Sequence, residues 1–401
     1  MHLNYLALAV PLFLLFIGIE YYYSRRKNKP FFHFSESVAN LNVGMAERIT
    51  DLFTTGSFYF LYTWLHNNFA LFHISSSLLT WVFLFLLTDF IWYWYHRYAH
   101  EINLFWAAHI VHHQSEDFNY TTSTRITMFQ AGIRGSFWAI LPIIGFSPAM
   151  IAIFLLVHGA YPFFTHTQTI NKLGWIEYLL VTPSHHRVHH ASNPQYLDKN
   201  YGDILIIWDK LFGTFAIEKE PPVYGLTKPL NSYSFFWQHF HHFLELIVAV
   251  RREKGFTGKF KLVFGKPEQI DPRIRTSLER KLLRRYTTPL NKELKNYIFF
   301  QTVITLVLLF MVLLLEYYLT RNQLIIAALF VLISIVNTGA MLEKQYWIFY
   351  LELTRLTLLL FFINNIYFNL YFFVGCGIIL LSVLLFIKPI KQWYITSLYR
   401  Q

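Results

Sequence analysis

The chain has 401 residues, of which 55% are hydrophobic and 19% aromatic, and only 14% are charged. Soluble domains carry roughly 25% charged residues, so this composition excludes an ordinary soluble protein and points to an all-α, polytopic membrane helix bundle. A net charge of +11 would suit a nucleic-acid binder, but the basic residues lie between apolar stretches, where the bias of Lys and Arg toward cytoplasmic loops accounts for them, and no nucleic-acid partner is expected.

Residues 4–20 are apolar and are followed by Arg25, Arg26, Lys27 and Lys29. A secretory signal carries its charges before the apolar core, so this order predicts a retained first helix with its amino end outside. Residues 31–50 are mixed and read as an interfacial helix. Residues 52–66 and 77–95 read as two spans separated by the polar tip His66-Asn67-Asn68. A helix rises about 1.5 Å per residue, so residues 77–95 nearly cross the hydrocarbon, and His96 emerges at a membrane face. By alternation that face is cytosolic. Asp89 sits inside the last two turns of this span, where an exposed carboxylate costs roughly 2.5–3.5 kcal/mol at mid-bilayer. It is expected either to support a ligand histidine from behind or to act as an interfacial cap paired with Arg97.

Residues 126–166 hold an apolar pair broken by Gly145 and Pro148, too short for two relaxed spans, and predict a tilted or re-entrant hairpin. His158 and His166 fall on its second arm, as polar spots lining a cavity or as ligands, with His166 the better ligand candidate. From 167 to 295 the chain is expected in the cytosol. There the turn from Trp208 to Phe215 reads as aromatic packing. His239, His241 and His242 sit in an aromatic stretch read as interfacial, and the basic run from Arg251 to Lys295 is expected to touch anionic headgroups. Four apolar stretches follow, 297–319, 322–342, 346–365 and 367–388, ending in Lys388, Lys391 and Arg400 on the basic, cytosolic side. Glu316, Glu343 and Glu352 near their ends read as helix-packing or topological residues. The domain organisation is thus 1–76 membrane spans, 77–230 catalytic region, 231–295 basic cytosolic or interfacial segment, and 296–401 four-span membrane region.

The chemistry lies in two stretches, HRYAHEINLFWAAHIVHH from His96 to His113 and HHRVHH from His185 to His190. Residues i and i+4 share a helix face, which pairs His96 with His100, His109 with His113 and His186 with His190. His112 and His189 add one nitrogen each beside these pairs, and His166 and His185 are further candidates. A lone histidine at a membrane edge needs no function, but three clusters compete for the same protons and need a cation to hold them. Imidazole suits iron, zinc and copper. So many imidazoles point to more than one metal ion. The peptidase pattern fails, because Leu104 stands where HExxH needs its second histidine. The single cysteine, Cys376, excludes a disulfide framework and cysteine-ligated zinc or iron–sulfur sites. No GxGxxG or P-loop is present. Non-haem iron that activates oxygen fits an all-histidine set in a lipid-embedded chain better than hydrolysis does.

The order HxxxH, HxxHH, HHxxHH resembles the fatty acid hydroxylase/sterol desaturase superfamily of membrane di-iron enzymes. The phrases DFIWYWYHRYAHEIN, HHQSEDFNYTTSTR, TPSHHRVHHASNPQYLDKNYGDILIIWDKLFGTF and VYGLTKPLN are similar to its alkylglycerol monooxygenase branch, over about Asp89 to Leu230. The resemblance implies two iron ions held by His96, His100, His109, His112, His113, His186, His189 and His190. It further implies oxygen-dependent hydroxylation of a lipid C–H bond beside an ether oxygen, collapse to a fatty aldehyde, and an external electron donor. In this branch the donor is tetrahydrobiopterin; an electron-transfer protein is the other candidate, and the chain has no HPGG haem motif of its own. Glu101, directly after a ligand histidine, is the first candidate for a catalytic residue outside the histidines, as a metal ligand, a pterin contact or a support for His100. A sterol or fatty-acid hydroxylase or desaturase would share every ligand. A metal transporter, the reading of a different class, would need ionisable residues through mid-span, and the spans hold almost none.

Overall fold

The computed structural model describes residues 3–283 and 289–399, and among these the regular structure is helical, with only two isolated backbone bridges, Leu180 to Leu205 and Ala191 to Tyr224. Arg284, Arg285 and Arg400, counted above among the basic charges, lie outside the described residues. A 3-10 turn at Tyr5–Leu8 leads into α1 (Ala9–Arg26). Then come α2 (Phe34–Phe69), α3 (Leu78–Glu101) and the short α4 (Asn103–His109). The middle of the chain contains α5 (Gln130–Trp138), α6 (Ile140–Ile144), α7 (Pro148–Thr165), α8 (Pro183–His189) and α9 (Ile207–Phe212). Next are α10 (Phe235–Arg252), α11 (Phe256–Phe264) and α12 (Pro272–Leu282), and the C-terminal region is α13 (Lys292–Leu314), α14 (Arg321–Leu342), α15 (Ile348–Ile366), α16 (Leu370–Leu385) and α17 (Ile387–Tyr399).

Six of these helical segments are long and apolar enough to cross a bilayer: Tyr5–Arg26, α3, α7, α13, α14 and α15. The pair α16 and α17, bent by 83°, would make a seventh. This is the pattern of a multi-pass membrane protein. α3 begins where Ser77 and Thr80 form a capping box, and its 24 residues span about 36 Å, enough for the hydrocarbon core of about 30 Å. It is thus long enough for its carboxyl end to reach a membrane boundary.

Two expectations are corrected. Residues 31–50 and 52–66 are not an interfacial helix and a separate short span. They lie in one 36-residue helix, α2. The polar residues that break its apolar pattern are turned inward: Asn40, Asn42 and Glu47 are buried, and Asn40 bonds the hydroxyls of Ser115 and Thr121. The apolar residues of that half, Met45, Ala46 and Ile49, pack with Leu309, Val312, Val331 and Ile335 of α13 and α14. The second correction concerns the last predicted span, 367–388, whose end is the sharp break between α16 and α17.

The 126–166 pair is two short helices, α5 and α6, followed by the single 18-residue α7. The break is at Gly145, whose φ is +123° and where a Cβ would stand 2.0 Å from the Phe72 carbonyl oxygen. Ser147 then caps α7, with Pro148 at its first position. The C-terminal helices close against the rest through small and polar groups, which is how helices associate where lipid supplies no hydrophobic drive. Gly339 of α14 allows the Tyr233 carbonyl within 2.7 Å of its missing Cβ. Glu343 accepts the amides of Tyr233 and Ser234 at 2.9 and 3.0 Å, which pins the start of α10. Glu352 is buried in α15 and accepts Tyr297, Gln301 and Asn337. Glu343 and Glu352 thus act in helix packing, as the sequence suggested.

Candidate metal centre

Nine histidines meet where the ends of α3, α4, α7 and α8 come together. They form two groups, each with one ring nitrogen per residue within 4.8 Å of all the others. One group is His96, His100, His109, His113 and His189; the other is His112, His166, His186 and His190. α3 carries His96 and His100 one turn apart on its last turns, and α4 ends on His109. A 3-10 turn, Ile110–Gln114, follows and tightens the chain. As a result the adjacent His112 and His113 point in different directions, their rings at 86°, and enter different groups. The same division occurs at His189 and His190, at 85°. The sequence reading gave each neighbour to its own pair; the backbone assigns one to each group. His166 occupies the position after α7, and His186 and His189 lie on α8, whose first turn is set by Pro183.

The ring nitrogens converge. His109 Nε2 lies 3.1 Å from His96 Nε2 and 3.2 Å from His113 Nε2. His166 Nε2 lies 3.2, 3.2 and 3.0 Å from Nε2 of His112, His190 and His186. A neutral imidazole has one donor and one acceptor nitrogen, so a nitrogen facing three others cannot be satisfied by hydrogen bonds. Metal–nitrogen bonds of about 2.0–2.1 Å place the corners of a tetrahedron about 3.3 Å apart. The observed edges are close to that.

The far nitrogens are held. His96 Nδ1 meets the Tyr201 carbonyl at 2.8 Å, His112 Nδ1 that of Arg125 at 3.3 Å, His166 Nδ1 that of Pro162 at 2.6 Å, and His189 Nδ1 that of Lys199 at 3.0 Å. Donation of Nδ1–H to a carbonyl fixes the tautomer and turns the Nε2 lone pair into the group. His100 Nε2 and His189 Nε2 are buried without any partner, a state that a bound cation would relieve. Burial, with neighbouring imidazoles adding to it, holds His109, His112, His113, His186, His189 and His190 well below the usual 6.5 and brings His166 to about 4. Neutral imidazole is the form that binds metal. The residues present fit a two-metal centre.

The other candidates fall outside these groups. His185 Nδ1 accepts the Thr182 amide at 3.3 Å, and its ring lies against Phe215. Asp89 touches neither a clustered histidine nor Arg97 directly. Its carboxylate accepts the Ile204 and Leu205 amides at 3.1 and 3.2 Å and Trp208 Nε1–H at 2.8 Å. It forms a third buried set with His158 and Asp203, whose contact is 2.5 Å. His158 is thus in a closed polar network and not on a cavity wall. Glu101 pairs with Arg97 at 3.0 Å and is partly exposed. His239, His241 and His242 are not interfacial: all three are buried, because α10 packs against α4, and His242 Nε2 meets Asn103 Oδ1 at 3.1 Å.

Three supporting residues were not legible in sequence. Asp209, inside the turn read as aromatic packing, accepts the Tyr201 and Gly202 amides at 2.7 and 2.8 Å and so holds the loop on which His96 rests. The buried Arg125 guanidinium binds the Val111 carbonyl, Asn40 and Gln114 while its own carbonyl serves His112. Glu20 of α1 accepts the Tyr120 amide at 2.7 Å and the Thr167 hydroxyl, tying the first helix to both flanks of the second group. Nothing in their local sequence separates them from ordinary surface charges.

Residues 81–214 match the fatty acid hydroxylase family. The chain is 38% identical over 266 residues to human alkylglycerol monooxygenase, covering 66% of this chain and 60% of that one. It is 39% identical over 235 residues to the alkylglycerol monooxygenase of Xenopus tropicalis, covering 58% of this chain and 52% of that one. An ornithine lipid hydroxylase of Rhizobium tropici is 29% identical over 140 residues, 34% of this chain and 41% of that one. The chain thus spans about half to three fifths of the length of the alkylglycerol monooxygenases just named. No solved structure matches it. Every clustered histidine falls within the segment that matches the fatty acid hydroxylase family, so the likeness to that family covers the candidate site.

Proposed function

We propose that the chain is an integral-membrane monooxygenase that uses two irons to hydroxylate a lipid C–H bond, and that its substrate is an alkylglycerol. The observation that carries this reading is the pair of convergent all-histidine groups inside a segment similar to alkylglycerol monooxygenases. His96, His100, His109, His113 and His189 would hold one iron, and His112, His166, His186 and His190 the other. Iron bound there would supply oxygen activation and removal of hydrogen from carbon.

The rest is the work of the chain. Neutral, buried imidazoles offer lone pairs without a competing proton, and the carbonyls of Tyr201, Arg125, Pro162 and Lys199 fix their orientation. Asp89 and Asp209 act as positioning residues: each folds one end of the 201–208 loop, on which His96 rests. Glu101, beside His100, is the proposed contact for the electron donor. In balance, one C–H becomes C–OH, the second oxygen atom leaves as water, and two electrons with two protons enter from tetrahydrobiopterin or an electron-transfer protein. Attack at the carbon beside the ether oxygen gives a hemiacetal, whose C–O bond breaks to release glycerol and a fatty aldehyde. The centre lies at the end of α3, which we assign to the cytosolic face, so an amphiphile would keep its headgroup at the interface while the reacting carbon enters the bundle.

The test is metal analysis of purified chain together with turnover of an alkylglycerol under oxygen, scored by aldehyde. Two irons per chain and aldehyde release with a tetrahydropterin support the reading. Turnover only with an electron-transfer protein supports a general lipid hydroxylase, the second reading favoured by the similarity to ornithine lipid hydroxylase. Zinc alone, or no aldehyde at full iron occupancy, removes the alkylglycerol assignment.

A further inference from the structure

Helix α11 presents three phenylalanines that stand exposed among the described residues. Phe256 is 83% exposed, Phe260 54% and Phe264 47%. At spacing i, i+4, i+8 they form one stripe on a helix only nine residues long. By helical geometry Lys259 and Lys261 fall on either side of that stripe, while Gly258 and Leu262 lie opposite it. That opposite face is the one held by protein: Leu262 packs with Leu246, Ala249, Ile270 and Ile274, and a Cβ at Gly258 would meet Glu253 at 2.6 Å. A soluble protein rarely exposes such an apolar stripe without a use for it.

The depth of α11 is fixed by its bonds to the start of α4. The Asn103 amide donates to the Gly265 carbonyl at 2.9 Å, and its Nδ2 donates to the Leu262 and Lys266 carbonyls at 2.8 and 2.9 Å. Asn103 stands two residues beyond Glu101, the last residue of α3. If α3 crosses the bilayer, its carboxyl end lies at the headgroups, and α11 lies at the same level. The exposed charge near its two ends is mostly basic: Arg251, Arg252, Lys254 and Lys266 are exposed, against the exposed Glu268 and the half-buried Glu253.

We propose that α11 is an interfacial helix that buries Phe256, Phe260 and Phe264 below the phosphates of an anionic lipid surface, with Lys259 and Lys261 reaching back to the headgroups. An apolar stripe flanked by lysines is the arrangement that lies in the plane of the interface, its apolar face about 5–10 Å deep. Seated there, α11 clamps the α3–α4 corner that carries His100 and His109 to the membrane surface, beside the level at which a lipid would enter. The assignment rests on α3 spanning the membrane and is independent of the reaction catalysed.

The test is a depth measurement on the full chain in lipid nanodiscs. Cys376 is replaced by serine, and a nitroxide is placed by Phe260→Cys in one sample and by Leu79→Cys, on the exposed face of α3, in another. Accessibility to oxygen and to a water-soluble nickel chelate is compared in discs with and without phosphatidylglycerol. The expected result is oxygen-favoured accessibility at both positions with phosphatidylglycerol present. Position 260 should move toward the water phase in phosphatidylcholine alone and in the Lys259→Gln/Lys261→Gln variant. A water-exposed label at 260 with an immersed label at 79 overturns the proposal and marks the stripe as a face for a soluble protein. Equal immersion at 260 in both lipids overturns its anionic component, and a water-exposed label at 79 removes the span on which it stands.

Discussion

Replacing His166 by alanine removes one of four imidazoles from the second group and none from the first. Its Nε2 is the common neighbour of His112, His186 and His190, at 3.0–3.2 Å, so no other side chain replaces it. Loss of a residue that merely orients a ligand costs about 10–100-fold in metal affinity. Loss of the ligand itself should reach at least the upper end, about 100-fold, or about 2.7 kcal/mol. The five histidines of the other group are untouched, so metal content should fall from two per chain toward one, with turnover abolished. His185→Ala is the matched control. It removes a neighbouring imidazole that bonds the backbone at Thr182 and Leu180 rather than a clustered nitrogen, so it should retain both metals and lose about 1 kcal/mol of stability at the start of α8. The assay is metal analysis of both variants after gel filtration, which also reports folding. Two metals retained in His166→Ala, or metal lost from a folded His185→Ala, refutes the division into a five-histidine and a four-histidine group.

Asp209→Asn takes a carboxylate from the two amides that shape the Tyr201 loop, so metal affinity of the His96 group should fall about 10–100-fold while that of the His112 group holds, read by competition with a chelator. Asn103→Ala leaves the Leu262 and Lys266 carbonyls without their donor and should cost about 2–4 kcal/mol, seen as a lower melting temperature and faster proteolysis near α11. Glu245 of α10 is buried, and burial pushes its carboxyl up to about 7 from 4.5. Between those values the folded chain keeps a proton that the unfolded chain releases, so its contribution is full below pH 4.5 and is lost as pH rises through 7. Glu245→Gln should therefore raise stability by about 1–3 kcal/mol at pH 8 and leave it unchanged at pH 4.5; identical pH profiles for the two proteins would contradict this.

The class of the protein, five of the six helical segments long and apolar enough to cross a bilayer, and the identity of eight of the nine clustered histidines follow from local sequence, because each rests on a short-range signal. An apolar run long enough to cross lipid must be a helix, since only a helix satisfies its backbone there. Histidines repeated at short spacing have no apolar explanation. His166 was readable only as a candidate, since it stands alone at the end of an apolar arm, and its partners are 24 residues or more away along the chain, apart from His186 at 20. The splitting of His112 from His113 and of His189 from His190 depends on a 3-10 turn and a helix end, differences of a fraction of a turn that spacing does not encode. Asp89 shows the limit most clearly. Its cost in an apolar helix marks it as partnered, but its partners, the Trp208 indole and the backbone amides of Ile204 and Leu205, are more than a hundred residues away, and a backbone amide leaves no trace in side-chain sequence. The same holds for α2, whose polar residues looked like an interface until helices from the far end of the chain closed around them. Local pattern determines which segments are helices and which residues can ligate; only the packing of distant segments decides which nitrogens face each other and which charges are neutralised.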